Sequence, residues 1–371
     1  MSDLAPTVPS QSLPEVTSAA FKLVDAANSA ATEVGGPVQP VFEGSFAFWV
    51  LLQKYLEDRG YSRFRAEANR DERQLEHGVE QMTVYLERGI TLTDEQVWAA
   101  MKSRLPLTLA RIFRRQHRIE AHVGISMSRH FLPGGSSAHQ RVHQGAHLAV
   151  PVDLLFHDAF LEQILEHPPS HGASLPVYIS RSWRPDGSRA NPSLHILTPP
   201  LLILTSLLRF KANPLDVRPL YDIKLLLLLA LDVENGNHAP PQAHPDHRTA
   251  ASLSFSSWRE VAAQCRLNEL EALRDYVDTL KTDNGGVTRF IGWEVAENPP
   301  LQRRTMQELY GEWSRALKRL HECLATAVSS QNTGFDLVDF GEHSLGQSQR
   351  RKSRRNRTWS SLSDEQRERG W

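Results

Sequence analysis

The spacing of apolar residues divides the chain into helical segments, short strands and polar ends. Apolar residues recur at helical spacing in five segments: 42–59, 95–110, 200–210, 220–232 and 255–328. An imperfect alternation over 119–125 and a short apolar run over 148–156 predict strands, and the second run contains Asp153. The pattern therefore predicts an α+β fold, in which a small mixed β-sheet is flanked by helices and followed by a helical C-terminal region.

The same pattern predicts how the chain is organised along its length. Residues 1–38 and 329–371 lose the dense apolar spacing, which predicts a disordered N-terminal tail and a disordered basic C-terminal tail. A segment rich in His and Pro, 235–254, is typical of a linker. It separates an α+β domain over 39–234 from a helical region over 255–328.

The amino-acid composition argues against several classes of protein. The 371 residues carry 42 Lys and Arg against 43 Asp and Glu, and this balance argues against a chain dominated by polyanion binding. Two cysteines are too few for a disulfide scaffold or a cysteine-built zinc finger. The strongest apolar stretch, 225–231, is far shorter than the roughly 20 residues that cross a bilayer. We therefore expect an intracellular protein, cytoplasmic or nuclear, that does not associate with membranes.

Three motifs, in order, carry a family resemblance. Gly44 and Ser45 follow an aromatic strand-like segment and begin an apolar helix, and Asp153 lies within the run 150–156. A closing segment, 197–226, combines two apolar helices with an Arg-Pro-Leu-Tyr-Asp-Ile-Lys sequence. Together these pieces resemble the nucleotidyltransferase-fold superfamily, in the form of its stand-alone minimal or degenerate members.

The resemblance implies a nucleotide site that contains Mg²⁺. In that superfamily, backbone N–H groups of the Gly-Ser turn hold a nucleoside triphosphate, which assigns this role to Gly44 and Ser45. Three carboxylates hold two divalent cations that promote nucleotidyl transfer, and Asp153 matches the third of them. The other two are expected one residue apart on a strand, so that both point to the same face.

The sequence departs from this pattern at the carboxylate pair. The alternating acidic pairs, Asp232 with Glu234 and Glu269 with Glu271, are far from Gly44 along the chain. The nearest substitutes are Asp71 and Glu72, with Asp71 as the predicted metal ligand, but adjacent residues of a strand point to opposite faces.

The predicted helix 200–210 also departs from the superfamily pattern. Ser206 stands where the superfamily usually has a lysine. An active nucleotidyltransferase and a catalytically impaired pseudoenzyme both remain open.

Each motif also has an ordinary structural interpretation. Ser45 is equally typical of a helix start that caps a free N–H group, and Asp153 of a strand-end acid paired with an arginine. Glycines at 134–135 offer a rival phosphate turn, although a surface loop explains them better. Three histidines spaced by four suggest a metal site but are more typical of an exposed loop: His139, His143 and His147.

The C-terminal tail adds a second functional hypothesis. Six basic residues fall within eight positions: Arg350, Arg351, Lys352, Arg354, Arg355 and Arg357. Such a cluster is typical of binding to nucleic acid or to a nuclear import receptor, and also of a merely solvated tail. The alternative to a nucleotidyltransferase is therefore a non-catalytic protein that binds other proteins or nucleic acid and carries a nuclear-targeting tail. A lineage-specific protein without known chemistry is a third interpretation.

Overall fold

The strands and helices are taken from a computed structural model, which describes residues 13–58, 82–89, 91–126, 147–167, 173–178, 193–234, 255–297 and 305–339. The strands are β1 (Val38–Glu43), β2 (Met82–Arg88), β3 (Leu107–Phe113), β4 (Arg118–Ser126), β5 (His147–Leu155), β6 (Ser174–Tyr178) and β7 (Ser193–Leu197). The helices are α1 (Leu13–Val34), α2 (Gly44–Asp58), α3 (Asp94–Lys102), α4 (Ala159–Ile164), α5 (Pro199–Ala212), α6 (Arg218–Glu234), α7 (Phe255–Ala262), α8 (Leu267–Thr282), α9 (Asn284–Glu297) and α10 (Met306–Asp339).

The seven strands form one mixed sheet. Their order is β3-β4-β5-β2-β1-β7-β6. The pairs β2 with β5 and β1 with β7 are parallel, and the other pairs are antiparallel. The predicted combination of a mixed sheet with flanking helices is therefore confirmed, although the sheet has more strands than the apolar pattern indicated.

The sheet has one strongly apolar face. Phe42, Val84 and Leu154 lie on neighbouring strands and are fully buried, and Ile119 on β4 is nearly so. Helix α1 packs against β1, β4 and β5. The opposite face carries charged and polar residues, because side chains alternate between the two faces of a strand.

Helix α1 lies in a segment that the sequence assigned to a tail. Its residues Val16, Ala19, Leu23, Ala27 and Ala30 are buried, with the spacing of one helical face. Alanine makes up much of this face, so the apolar stripe is weak in the sequence. The described part of 1–38 is therefore a core helix followed by the start of β1.

The predicted helix over 95–110 is in fact a helix and a strand. Helix α3 begins at a capping box formed by Thr93 and Gln96. It ends at Lys102, and Pro106 precedes β3. Proline cannot donate the backbone hydrogen bond that a continuing helix needs, and the chain turns here into an edge strand.

The C-terminal helices pack in the same unit as the sheet. Residues up to Gln331 form one compact unit, in which α5 packs against α7 and α8. Residues 332–371 form a second unit, of which 332–339 are described as the end of α10. The sequence had divided the first unit at 235–254, a segment outside the described residues. No helix in the described ranges is long and apolar enough to cross a membrane.

A buried charge network joins α6, α9 and α10. Lys224 is 1 % exposed and pairs with Glu294, and its Nζ lies 3.5 Å from Glu312 Oε2 and 5.0 Å from the Trp313 ring centroid. Trp313 Nε1 donates a hydrogen bond of 2.7 Å to Glu294 Oε2. Burying a charge without a partner is costly, so each member of this network depends on the others.

We expect Lys224→Met to destabilise the protein by about 3–5 kcal/mol, because Glu294 then loses its cationic partner inside the core. The free energy of unfolding is measured by urea denaturation. The matched control is Lys281→Met, which removes a solvent-exposed ion pair with Asp278 and should leave the midpoint nearly unchanged. Equal effects of the two substitutions would show that the network contributes little.

Candidate functional site

A row of polar residues crosses the sheet on the face opposite its apolar side. Glu43 pairs with Thr83, Thr83 pairs with Asp153, and Asp153 pairs with Glu120. Directly paired residues of neighbouring strands share a face. These four side chains therefore form one row over β1, β2, β5 and β4, which we call the polar row.

The Gly44-Ser45 bend lies at one end of the polar row. Gly44 has a φ of 64°, in the left-handed region that favours glycine. A Cβ atom placed on Gly44 would lie 3.8 Å from Thr83 Oγ1 and 3.8 Å from Arg209 Nη1. Asp153 is two strands away, roughly 10 Å at the usual strand spacing. The predicted site residues Gly44, Ser45 and Asp153 thus lie in the same part of the sheet.

Asp153 is paired with an arginine. Arg118 Nε donates a hydrogen bond of 2.6 Å to Asp153 Oδ1, and Arg118 Nη2 lies 2.9 Å from Glu120 Oε1. Burial raises the pKa of Asp153, and the Arg118 guanidinium opposes that rise. The structural interpretation of Asp153, an acid paired with arginine on a strand, is therefore the observed one.

The strand between Gly44 and Asp153 carries hydroxyl groups. Thr83 and Tyr85 are one residue apart on β2 and face the same side, as an alternating carboxylate pair would. Burial raises the pKa of Tyr85 to about 12, so its side chain is neutral at physiological pH. The strand beside the one that carries Asp153 thus has neutral hydroxyl side chains at these two alternating positions.

Several predicted site residues lie outside the described residues. The substitute metal ligands Asp71 and Glu72 belong to the segment 59–81, and the phosphate-turn glycines and the three clustered histidines belong to 127–146 or adjoin it. The side chain of His147, which begins β5, is likewise not described. The basic tail cluster falls in 340–371: Arg350, Arg351, Lys352, Arg354, Arg355 and Arg357.

A buried charge cluster that was not predicted from the sequence lies next to the Gly44-Ser45 bend. Glu43 is fully buried, and its Oε1 lies 2.7 Å from Arg209 Nη2 on α5. Arg209 Nη2 also donates to Asp158 Oδ2 over 3.4 Å, and its guanidinium lies 5.4 Å from the Phe160 ring centroid. Asp158 in turn caps α4, accepting from the N–H groups of Phe160 and Leu161. One guanidinium therefore serves two buried carboxyl groups.

This arrangement perturbs the pKa of Glu43. Burial raises the pKa of Glu43 to about 8; Arg209 lowers it, and the neighbouring Asp158 raises it further. Glu43 therefore keeps its proton at neutral pH. A signal for this cluster was present in the sequence: Arg209 interrupts an apolar helix, where an arginine normally has a partner.

The hydroxyl of Ser45 already has an acidic partner. Ser45 Oγ donates a hydrogen bond of 2.7 Å to Asp222 Oδ2 on α6. Burial raises the pKa of Asp222 to about 7, against the opposing effects of Ser45 and Arg218. A carboxyl group therefore contacts the N-terminal turn of α2, where the resemblance would place a phosphate.

The described residues do not fit a two-Mg²⁺ site. Mg²⁺ requires several oxygen ligands, and a two-metal site requires carboxylates that converge. In the polar row, Glu43 is protonated, Thr83 is neutral and Asp153 is bound by Arg118. Within the described ranges, no three His, Cys, Asp or Glu side chains group in a way that could hold a metal ion.

Comparison with protein-family models, with curated proteins and with solved structures finds no match to this chain. The function is therefore inferred from the geometry of the polar row and its neighbours.

We expect Glu43→Gln to alter the pH dependence of stability. A carboxyl group with a raised pKa binds its proton more tightly in the folded state, so the free energy of unfolding falls as pH rises from about 4.5 to about 8. Glutamine mimics the protonated form. The variant should match the wild type near pH 4.5 and become progressively more stable than it up to about pH 8, where the difference levels off; within this range the slope difference approaches about 1.4 kcal/mol per pH unit.

The measurement is urea denaturation of both proteins across this pH range, with Glu260→Gln as the control because Glu260 is exposed. Parallel curves for Glu43→Gln and the wild type would contradict the assignment of a bound proton to Glu43.

Proposed function

We propose that this chain is a nucleotidyltransferase-like protein that does not transfer nucleotides and acts as a non-catalytic binding protein. The observation that carries the proposal is the occupation of the central strand of the polar row by Thr83 and Tyr85. The alternating carboxylates that the resemblance implies are not found at these positions of β2, which lies beside the strand that carries Asp153.

The likeness is supported by connectivity. Strand β1 leads through the left-handed Gly44 into α2, and the next strand, β2, lies between β1 and the strand that carries Asp153. The motifs were identified from separate parts of the sequence, and they lie on adjoining elements. This proximity supports the proposal.

The loss of activity is supported by charge. Arg118 and Arg209 reach the polar row from β4 and α5 and bind Asp153 and Glu43 respectively. A divalent cation entering the row would be repelled by both guanidinium groups and would have to displace one of them. The carboxyl groups of the row are thus already bound by arginines, without a metal ion.

Nucleotide binding at the bend is disfavoured by Asp222. Its carboxyl group holds the Ser45 hydroxyl, and its ionised form repels a triphosphate at the same helix terminus. We therefore do not assign a nucleoside triphosphate with Mg²⁺ to Gly44 and Ser45, and the proposed binding function resides elsewhere on the molecule.

We expect Thr83→Asp to create metal affinity that the wild type lacks. The new carboxylate would lie directly beside Asp153, giving two oxygen ligands on adjacent strands. Thermal denaturation with and without Mn²⁺ or Mg²⁺ measures the effect: the variant should be stabilised by metal, and the wild type should not. Thr83→Asn is the matched control, since asparagine has the shape of aspartate without its charge.

Transfer activity provides the direct test. The wild type and Asp153→Asn should both release no pyrophosphate from ATP, GTP, CTP or UTP in Mg²⁺ above the level without protein. Release by the wild type that Asp153→Asn abolishes would overturn the proposal and restore the active-enzyme interpretation.

The basic segment 350–357 supports a second, separate proposal, namely that it binds an acidic partner such as nucleic acid or an import receptor. Its support is the charge of six basic residues in eight. We expect deletion of 350–357 to reduce nuclear accumulation of a fluorescent fusion and to leave the thermal stability of the folded unit unchanged. Unaltered distribution of the deletion variant would indicate a solvated tail.

A further inference from the structure

Strand β3 lies at one edge of the sheet. Among the described residues it pairs with β4 on one side, and its other side faces no strand. An edge strand presents a row of backbone N–H and C=O groups that can pair with another extended chain. This edge is therefore a candidate docking surface.

The side chains of β3 are unusually exposed for a strand. All residues from Thr108 to Ile112 are exposed, including Leu109 at 40 % and Ile112 at 53 %. Leu109 shares a face with Arg111, whereas Ile112 and Ala110 share the other face. Both faces of β3 thus have an exposed aliphatic residue that a neighbouring strand would cover.

The surroundings of β3 are basic. Four exposed arginines lie on or beside the strand and form no ion pair with any described residue: Arg104, Arg111, Arg114 and Arg115. Lys102, at the end of α3, is exposed on the approach to the same strand. By contrast, Arg118 on β4 is compensated by Asp153 and Glu120. Arg111 lies opposite Glu120 in the register of β3 with β4, but Glu120 already pairs with Arg118. The residues on and beside β3 therefore carry a local excess of positive charge.

We propose that the β3 edge binds an extended, acidic segment of a partner protein, which adds to the sheet as an antiparallel or parallel eighth strand. Backbone pairing along β3 would supply the docking geometry. Acidic side chains of the segment would face Arg111 and its neighbours, and aliphatic side chains would cover Ile112 on the other face. The segment is thus expected to alternate acidic and aliphatic residues.

Charge decides between this occupant and two others. A second copy of the chain paired edge to edge would bring two arginine clusters together, which is unfavourable. Nucleic acid would match the charge, but it would leave Ile112 and the free peptide groups of the strand without a partner. A strand of alternating acidic and aliphatic residues satisfies the arginines, Ile112 and the backbone together.

The test uses a fluorescently labelled decapeptide of alternating Glu and Val, titrated with the full chain and followed by fluorescence anisotropy. Three comparison probes separate the contributions: the same peptide with every Val replaced by Pro, a Lys-Val peptide, and a short DNA duplex. Proline has no N–H group and holds φ at about −65°, so this peptide loses half of its backbone donors and is disfavoured as a paired strand while its charge is retained.

Two double variants test the arginines. Arg111→Glu with Arg114→Glu should weaken binding of the Glu-Val peptide by at least about tenfold, because attraction becomes repulsion. Arg111→Lys with Arg114→Lys keeps the charge and should bind within about threefold of the wild type. Both positions are exposed, so circular dichroism and thermal denaturation should show unchanged folding in each variant.

Binding of the Glu-Val peptide, loss of binding with the proline peptide and the tenfold effect of charge reversal together support the proposal. Absence of binding overturns it. Equal binding of the proline peptide would also overturn it, since charge alone would then suffice. Tighter binding of the duplex with the same arginine dependence would reassign the surface to nucleic acid.

Discussion

The arrangement of the whole polar face depends on a single guanidinium between two buried carboxyl groups. Arg209 on α5 reaches Glu43 at the end of β1 and Asp158 at the start of α4, so three separate elements meet at one charge. Removing such a cation from water is costly, and only close carboxyl partners offset that cost. Glu43 directly precedes Gly44, so its contact with Arg209 also fixes the point at which the chain leaves the sheet and enters α2.

The same principle of local neutralisation governs the rest of the polar face. Asp153 is matched by Arg118, Ser45 is held by Asp222, and the central positions of β2 carry hydroxyl groups. A site that performs metal-assisted chemistry keeps its ligands available for the ion, whereas here each acid already has a protein partner. The acids of the polar face are thus held by neighbouring side chains, whereas the exposed arginines on and beside β3 lie at the outer edge of the sheet.

The sequence correctly predicted those elements that have a strong local pattern. Helices α5 and α6, the apolar strand with Asp153 and the Gly44 bend were predicted because each has dense apolar residues or a distinctive turn. Helix α1 was missed because alanine gives a weak apolar stripe, and β3 because an exposed edge strand shows no alternation of burial. The partners of Arg209 could not be derived, since Glu43 and Asp158 are 115 residues apart in the sequence. Partners so distant are chosen by tertiary structure.

Helix α1 has a consequence for the order in which the protein can be assembled. Lys22 Nζ donates to the carbonyl oxygen of Gly124, a residue 102 positions later, and α1 rests on strands that continue to Leu155. During synthesis, the alanine-rich surface of α1 therefore emerges from the ribosome long before the strands that cover it. The N-terminal helix cannot pack against these strands until the middle of the chain has been translated, and until then its apolar surface needs chaperones or transient contacts to cover it.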